Sequence, residues 1–144
     1  MKCLVTGGAG FIGSNLVDKL ISDGHEVTIV DNMSTGKKEN INPKAKLYVK
    51  DITQMRRNSD FHMFEGIDVV FHLAALARVQ PSIENPIEYH DANVNGTLNL
   101  LKASVDYGVK RFVFSSSSSV YGKTKHRRCI LFSDGYIRRT IIKG

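Results

Sequence analysis

The chain contains no apolar run of 18 or more residues, so its hydropathy excludes a membrane-spanning helix. The N-terminus, Met1-Lys2-Cys3-Leu4-Val5-Thr6, lacks the long apolar region of a secretory signal and runs directly into glycines. Cytoplasm is the expected compartment. Cysteine is scarce. The two residues, Cys3 and Cys129, form no Cys-x-x-Cys pair, which argues against a structural disulfide, and no metal-ligating cluster is read. Cys3 sits in an apolar strand pattern and reads as a small core residue, whereas Cys129 lies in a basic stretch. There is no internal repeat, and the only low-complexity run is Ser115 to Ser119. What remains is ordinary for a soluble domain with a core of useful size: 144 residues, 42% hydrophobic and 24% charged.

The net charge of +6 is unevenly placed. Residues 1–122 hold 13 Lys/Arg against 13 Asp/Glu, so the excess lies wholly in residues 123–144, with seven Lys/Arg and one Asp. A basic patch can serve nucleic acid or anionic lipid. No aromatic platform or recognition motif accompanies this one, so neither nucleic acid nor membrane is the expected partner. The shift in composition instead marks a boundary, giving a domain at 1–122 and a divergent basic tail at 123–144. The tail reads either as a small hairpin around Asp134-Gly135 or as a disordered extension.

Strand and helix patterns alternate along the domain. Strands are predicted at Lys2 to Thr6, Val27 to Val30, Lys46 to Val49, Asp68 to His72 and Arg111 to Phe114. A helix is predicted from Phe11 to Asp23, with Ile12, Leu16, Leu20 and Ile21 on one face and Gly24 ending it. A weak helix is predicted in Thr53 to Phe64. A long one runs from Ile87 to Tyr107, with Val94, Leu98, Leu101 and Val105 on its apolar face and Gly108 at its end. Such alternation implies an α/β fold: a doubly wound parallel sheet of about five strands, ordered 3-2-1-4-5.

The chemistry resides in Gly7-Gly8-Ala9-Gly10-Phe11-Ile12-Gly13, placed between the first strand and the first helix. Gly7 permits the tight turn, Gly10 lets the backbone approach a pyrophosphate, and Gly13 lets the helix pack closely on the strand. The helix N-terminus offers free N–H groups and partial positive charge to the anion. Asp31 follows Gly13 by 18 residues, at the end of the second strand. A carboxylate there accepts ribose hydroxyls and repels a 2′-phosphate, and Asn32 adds no positive charge, so NAD is expected over NADP.

The Gly-x-x-Gly-x-x-Gly spacing resembles the short-chain dehydrogenase/reductase superfamily. With Asp31-Asn32-Met33-Ser34-Thr35-Gly36, Asp51-Ile52, His72-Leu73-Ala74-Ala75, Asn93-Val94-Asn95-Gly96-Thr97 and Ser115-Ser116-Ser117…Val120-Tyr121-Gly122, residues 1–122 resemble the NAD-dependent epimerase/dehydratase family, and most of all its UDP-glucose 4-epimerases. The resemblance implies a resident NAD that transiently oxidises a nucleotide sugar at C4. It implies that Phe11 and Ile12 lie by the pyrophosphate. Asp31, Asn32, Ser34, Thr35 and Gly36 would surround the adenosine ribose, and Asp51 and Ile52 would flank the adenine. Leu73, Ala74, Ala75 and Ala77 would line the path to the nicotinamide, although some relatives carry a lysine where Ala77 stands. Asn93 and Asn95 would brace the ends of the sheet. Ser117 falls where the family places its catalytic hydroxyl.

One part of the family pattern is missing. The base, a tyrosine in Tyr-x-x-x-Lys some 20–30 residues beyond Tyr121, has no counterpart: Tyr136 is followed by Thr140 four residues on. Tyr121 and Lys125 have the spacing, but Tyr121 belongs to the Val-Tyr-Gly element that precedes the catalytic helix. The family's substrate domain has no counterpart either. The chain therefore reads as truncated before it, or as changed in reading frame near residue 123, with the fifth strand left as an edge open to self-association. The readings that stand are the NAD-binding part of a nucleotide-sugar epimerase, a non-catalytic NAD-binding module or remnant, and the corresponding part of a dehydratase or decarboxylase.

Overall fold

A computed structural model describes residues 1–55 and 58–117. The chain divides into two compact units, Met1–Phe114 and Ser115–Gly144. Of the second unit only residues 115–117 are described, so the boundary at 122, the tail hairpin, Tyr121 and Cys129 lie outside the described residues.

The first unit is one parallel sheet of five strands: β1 (Lys2–Thr6), β2 (Glu26–Asp31), β3 (Lys46–Val49), β4 (Val69–His72) and β5 (Arg111–Phe114). Their order is β3-β2-β1-β4-β5, as the sequence predicts. β1, β2 and β4 are nearly continuous apolar runs because both faces of the sheet are covered. Leu4, Val30 and Val70 enter a core with Phe64 and Leu100, while Cys3, Val5 and Ile29 enter another with Val17 and Leu20. The register pairs Thr6 with Val30 and His72, Asp31 with Val49, and His72 with Phe114. Thr6, Asp31 and His72 therefore share the carboxyl edge of the sheet. The strand order reverses at β1, and that edge is where open α/β sheets place ligands.

The helices are α1 (Phe11–Ser22), α2 (Val79–Glu84), α3 (Pro86–His90) and α4 (Gly96–Asp106), with a π turn at Asp91–Asn95 joining the last two. None of the described helices is long and apolar enough to cross a membrane. Three expectations need correction. The segment from Thr53 to Phe64 holds a 3-10 helix, Asn58–Phe64, whose tighter winding sends Phe61, Met63 and Phe64 into the core. On α1 the buried face is Gly13, Ser14, Val17 and Leu20; Leu16 and Ile21 are half-buried, and Ile12 is 67% exposed.

The third correction concerns the long helix, which is α3, the π turn and α4 in succession. Most of the expected apolar face is turned outward, with Val94 52%, Leu98 61% and Val105 71% exposed, while Leu101 is half-buried. Gly96, Leu100, Ala103 and Ser104 are buried instead. The helix carries two stripes of equal period, one residue or about 100° apart. The small stripe wins because it lies close to its neighbours: a Cβ on Gly96 would stand 2.7 Å from the Ile52 side chain. Of the polar residues on the same side, Thr97 bonds to His72 at the sheet edge and Asn93 to Leu76 in the loop beyond it.

Candidate dinucleotide-binding site

The glycine turn is built by close approach. Gly7 has φ +70°, and a Cβ there would meet the Ala74 amide nitrogen at 2.8 Å. A Cβ on Gly13 would lie 2.1 Å from the Gly7 carbonyl oxygen. Only glycine allows α1 to start this close to β1. Gly10 differs: the only described atom within 4 Å of its Cβ position is the Gly7 oxygen at 3.3 Å, so its other side is open.

Gly10 caps α1 without a side chain, and the first turn of the helix holds no acid. The Ser14 amide donates to the Gly10 carbonyl, but the amides of Phe11, Ile12 and Gly13 precede the first acceptors of the helix. Phe11 (84% exposed) and Ile12 extend from this turn rather than into the core. The result is a helix N-terminus with free donors beside an open backbone, which is the physical description of an anion site.

Asp31 is buried and tied to this turn. Its Oδ2 accepts from the Ala9 amide at 3.0 Å and its Oδ1 from the Met33 amide at 2.8 Å. Each oxygen keeps a further lone pair. Asn32 Oδ1 accepts from the Ser34 amide and hydroxyl, and Asn32 Nδ2 donates to Asp51 Oδ2 at 3.2 Å. Gly36 packs on Ala9, where a Cβ would come within 2.7 Å of the alanine side chain; Thr35 beside it is exposed. Asp31→Ala is expected to cost about 1–3 kcal/mol without any ligand present, because two amides lose their acceptor. Asp31→Asn keeps one carbonyl oxygen and should cost less. Urea unfolding of the two variants checks the order.

Asp51 is half-buried at the edge. Burial acts to raise its pKa, but hydrogen bonds from the Thr53 hydroxyl and amide and from Asn32 outweigh it and hold the carboxyl below the usual range. Ile52 is buried, and its carbonyl accepts from Asn99 Nδ2 at 2.9 Å. Past β4, Leu73 and Ala74 are half-buried while Ala75 and Ala77 are exposed. Asn93 grips this loop twice, accepting from the Leu76 amide and donating to its carbonyl, both at 2.9 Å. Asn95 instead donates to Asp91 on its own helix. The carboxyl edge of the first unit thus brings together the glycine turn, 31–36, 51–52 and 73–77. Ser117 is exposed and belongs to the second unit.

Residues 3–135 match the model of the NAD dependent epimerase/dehydratase family. The chain belongs to this family. Among curated relatives, the UDP-glucose 4-epimerase of Lactobacillus helveticus is 44% identical over 125 residues, 87% of this chain and 38% of its own length. The UDP-N-acetyl-alpha-D-glucosaminuronate decarboxylase of Bacillus cytotoxicus is 44% identical over 123 residues, 85% of this chain and 38% of its own. A solved UDP-glucose 4-epimerase of Thermus thermophilus, in complex with NAD, is 40% identical with a TM-score of 0.76, covering 81% of this chain and 38% of that one. The chain therefore spans well under half the length of these epimerase/dehydratase family members.

Several groups that hold this family edge together escape a sequence reading. Ala9 is the hub: its amide reaches Asp31, and its carbonyl accepts from the Lys37 amide and from Asn40 Nδ2. Thr6, His72 and Thr97 form a second connection beneath the 73–77 loop. The contacts join residues 22 to 66 positions apart, and no local spacing announces them.

Proposed function

We propose that the chain is the NAD-binding part of a nucleotide-sugar 4-epimerase, with a dinucleotide domain over residues 1–122 and a separate basic tail over 123–144. The observation that carries this reading is the helix N-terminus at Phe11–Gly13, with donors free, no acid in its first turn and an open backbone at Gly10. NAD fits these residues. The pyrophosphate would lie against the amides of Phe11, Ile12 and Gly13, with Gly10 leaving its backbone open to approach and Gly7 shaping the turn. The spare lone pairs of Asp31 would accept ribose hydroxyls, with Asn32, Ser34, Thr35 and Gly36 enclosing that end and Asp51 and Ile52 flanking the adenine. Leu73, Ala74, Ala75 and Ala77 would exclude water from the nicotinamide. Bound NAD supplies reversible hydride acceptance at the sugar's C4. Ser117 would hydrogen-bond the oxygen at that carbon. The nucleotide sugar is UDP-linked in this reading, since the relatives above are named for such substrates.

Titration calorimetry of the 144-residue protein with NAD, NADP and ADP tests the binding part. NAD is expected to bind at least about tenfold more tightly than NADP, because the Asp31 carboxylate repels a 2′-phosphate. Equal binding, or none, overturns the reading. Adding UDP-glucose and assaying UDP-galactose then separates the two roles: NAD binding without product makes the chain a binding module, and product that disappears in Ser117→Ala supports the catalytic assignment.

Self-association and a cytoplasmic location complete the proposal. Among the described residues β5 pairs on one side only, with β4. Light scattering is expected to find oligomers at micromolar concentration; a stable monomer removes that part.

A further inference from the structure

His72 is buried at the end of β4, and the reaction proposed above does not use it. Its hydrogen bonds determine its tautomer. The Thr97 hydroxyl donates its only proton to the Asn93 carbonyl at 2.7 Å. His72 Nε2, 2.9 Å from that hydroxyl oxygen, must therefore donate to it. A neutral ring protonated at Nε2 leaves Nδ1 as an acceptor, and Thr6 Oγ1, at 2.7 Å, donates to it. The same Thr6 oxygen accepts from the amides of Leu73 and Ala74, both at 3.3 Å. Thr6 is then saturated, with one bond donated and two accepted.

A directed chain results. It begins at the Leu73 and Ala74 amides and passes through Thr6 to one side of the imidazole. From the other side it continues through Thr97 to the backbone carbonyl of Asn93, and the side chain of the same residue bonds both backbone groups of Leu76. The ring thus links Thr6, which holds one end of the 73–76 stretch, to the backbone of Asn93, whose side chain holds the other. The position matters because the Ala74 amide nitrogen is the atom a Cβ on Gly7 would strike, so this stretch touches the glycine turn at backbone level.

We propose that His72, as the neutral Nε2–H tautomer, is a positioning residue that sets the 73–77 loop against the glycine turn and thereby aligns the nicotinamide half of the dinucleotide. This rests on the dinucleotide reading above for its consequence but not for its mechanism. A charged ring would need Nδ1 to donate to a Thr6 oxygen that already accepts two bonds, so only the neutral ring completes the chain.

The test uses the full chain and two variants. His72→Phe keeps a ring against Phe112 and Phe114, whose centroids lie 5.8 and 5.6 Å away, and removes both hydrogen bonds. Thr97→Val cuts one link without touching the ring, and Thr97→Ser should restore it. Hydrogen exchange is read first, without ligand. The Ala74 and Leu76 amides are expected to exchange at least about tenfold faster in His72→Phe and Thr97→Val, beyond any change at the Ser14 amide, which reports the overall loss of stability; the Leu73 amide keeps its sheet bond to the Thr6 carbonyl at 3.2 Å. Nitrogen chemical shifts of the wild-type ring should show Nε2 protonated and Nδ1 bare. Calorimetry then compares NAD with ADP, which lacks the nicotinamide riboside. NAD should weaken about tenfold and ADP less than about twofold, with recovery in Thr97→Ser. Unchanged loop exchange, an Nδ1-protonated ring, or equal weakening of NAD and ADP overturns the proposal. If wild type binds neither nucleotide, the dinucleotide reading fails, while exchange and ring shifts still decide the role of His72 in the loop.

Discussion

Gly13→Ala is expected to destabilise the protein by more than about 3 kcal/mol, lowering Tm by roughly 10 °C or more. The added Cβ would lie 2.1 Å from the Gly7 oxygen, 2.8 Å from Gly8 Cα and 2.9 Å from the Gly7 carbonyl carbon. All three are backbone atoms, and none has room to retreat. The Gly7 amide is bonded to Val30, the Gly7 oxygen accepts from Gly10, and the nearby Ala9 is bonded through its amide to Asp31. Relief requires moving α1 off β1, which uncovers Val17 and Leu20. A large part of a domain's typical stability of about 5–15 kcal/mol would be lost.

Gly10→Ala is the informative contrast. Its Cβ meets one oxygen at 3.3 Å and otherwise open space, so stability should change by less than about 1 kcal/mol. The methyl would occupy the side where the pyrophosphate is proposed to approach, so NAD binding should fall below detection. Thermal melting and calorimetry on the two variants separate the roles. Gly13→Ala melting with the wild type would refute the packing argument. Gly10→Ala binding NAD normally would refute the assigned approach of the ligand.

The difference between these glycines shows what a sequence can reveal. The turn, the strand order and the acid ending β2 follow from short-range patterns: a glycine spacing, apolar runs and a separation of 18 residues. The choice between packing and ligand roles at Gly10 and Gly13 requires coordinates, because it depends on what stands opposite each Cα. The same limit explains α4. Val94, Leu98, Leu101 and Val105 have ideal helical spacing, yet so do Asn93, Thr97, Leu100 and Ser104, and period alone cannot rank them. The buried stripe is the one whose polar members find partners, with Thr97 on His72 at the sheet edge and Asn93 on Leu76, and which Gly96 beside it lets approach Ile52. His72 was legible only as part of a motif. Its partners, Thr6 and Thr97, are brought together by the pairing of β1 with β4 and by the position of α4.

That buried imidazole also makes stability depend on pH. Burial lowers the His72 pKa from 6.5 to about 4. Its partners are Thr6, Thr97 and the rings of Phe112 and Phe114, none of them charged, so no carboxylate offsets the loss of water. Between these two values the unfolded chain binds a proton that the folded chain refuses. Stability from this group is complete above pH 6.5 and declines at about 1.4 kcal/mol per pH unit as the pH falls toward 4, a total of roughly 3 kcal/mol. Asp51 and Asp68 act in a more acidic range. The first is held low by Thr53 and Asn32 against the effect of burial, the second by Lys110 and the Lys2 amide, and their contributions are lost only below 3.8. Urea unfolding at intervals from about pH 7.5 to 4 should therefore show His72→Phe well below the wild type at neutral pH, where the wild type alone satisfies the Thr6 hydroxyl. The two curves should converge as the pH falls, because the variant has no ring to protonate. Parallel curves over that range would mean that the folded protein accepts the proton at His72 without penalty, and the neutral hydrogen-bond chain would then not be what holds this edge of the sheet.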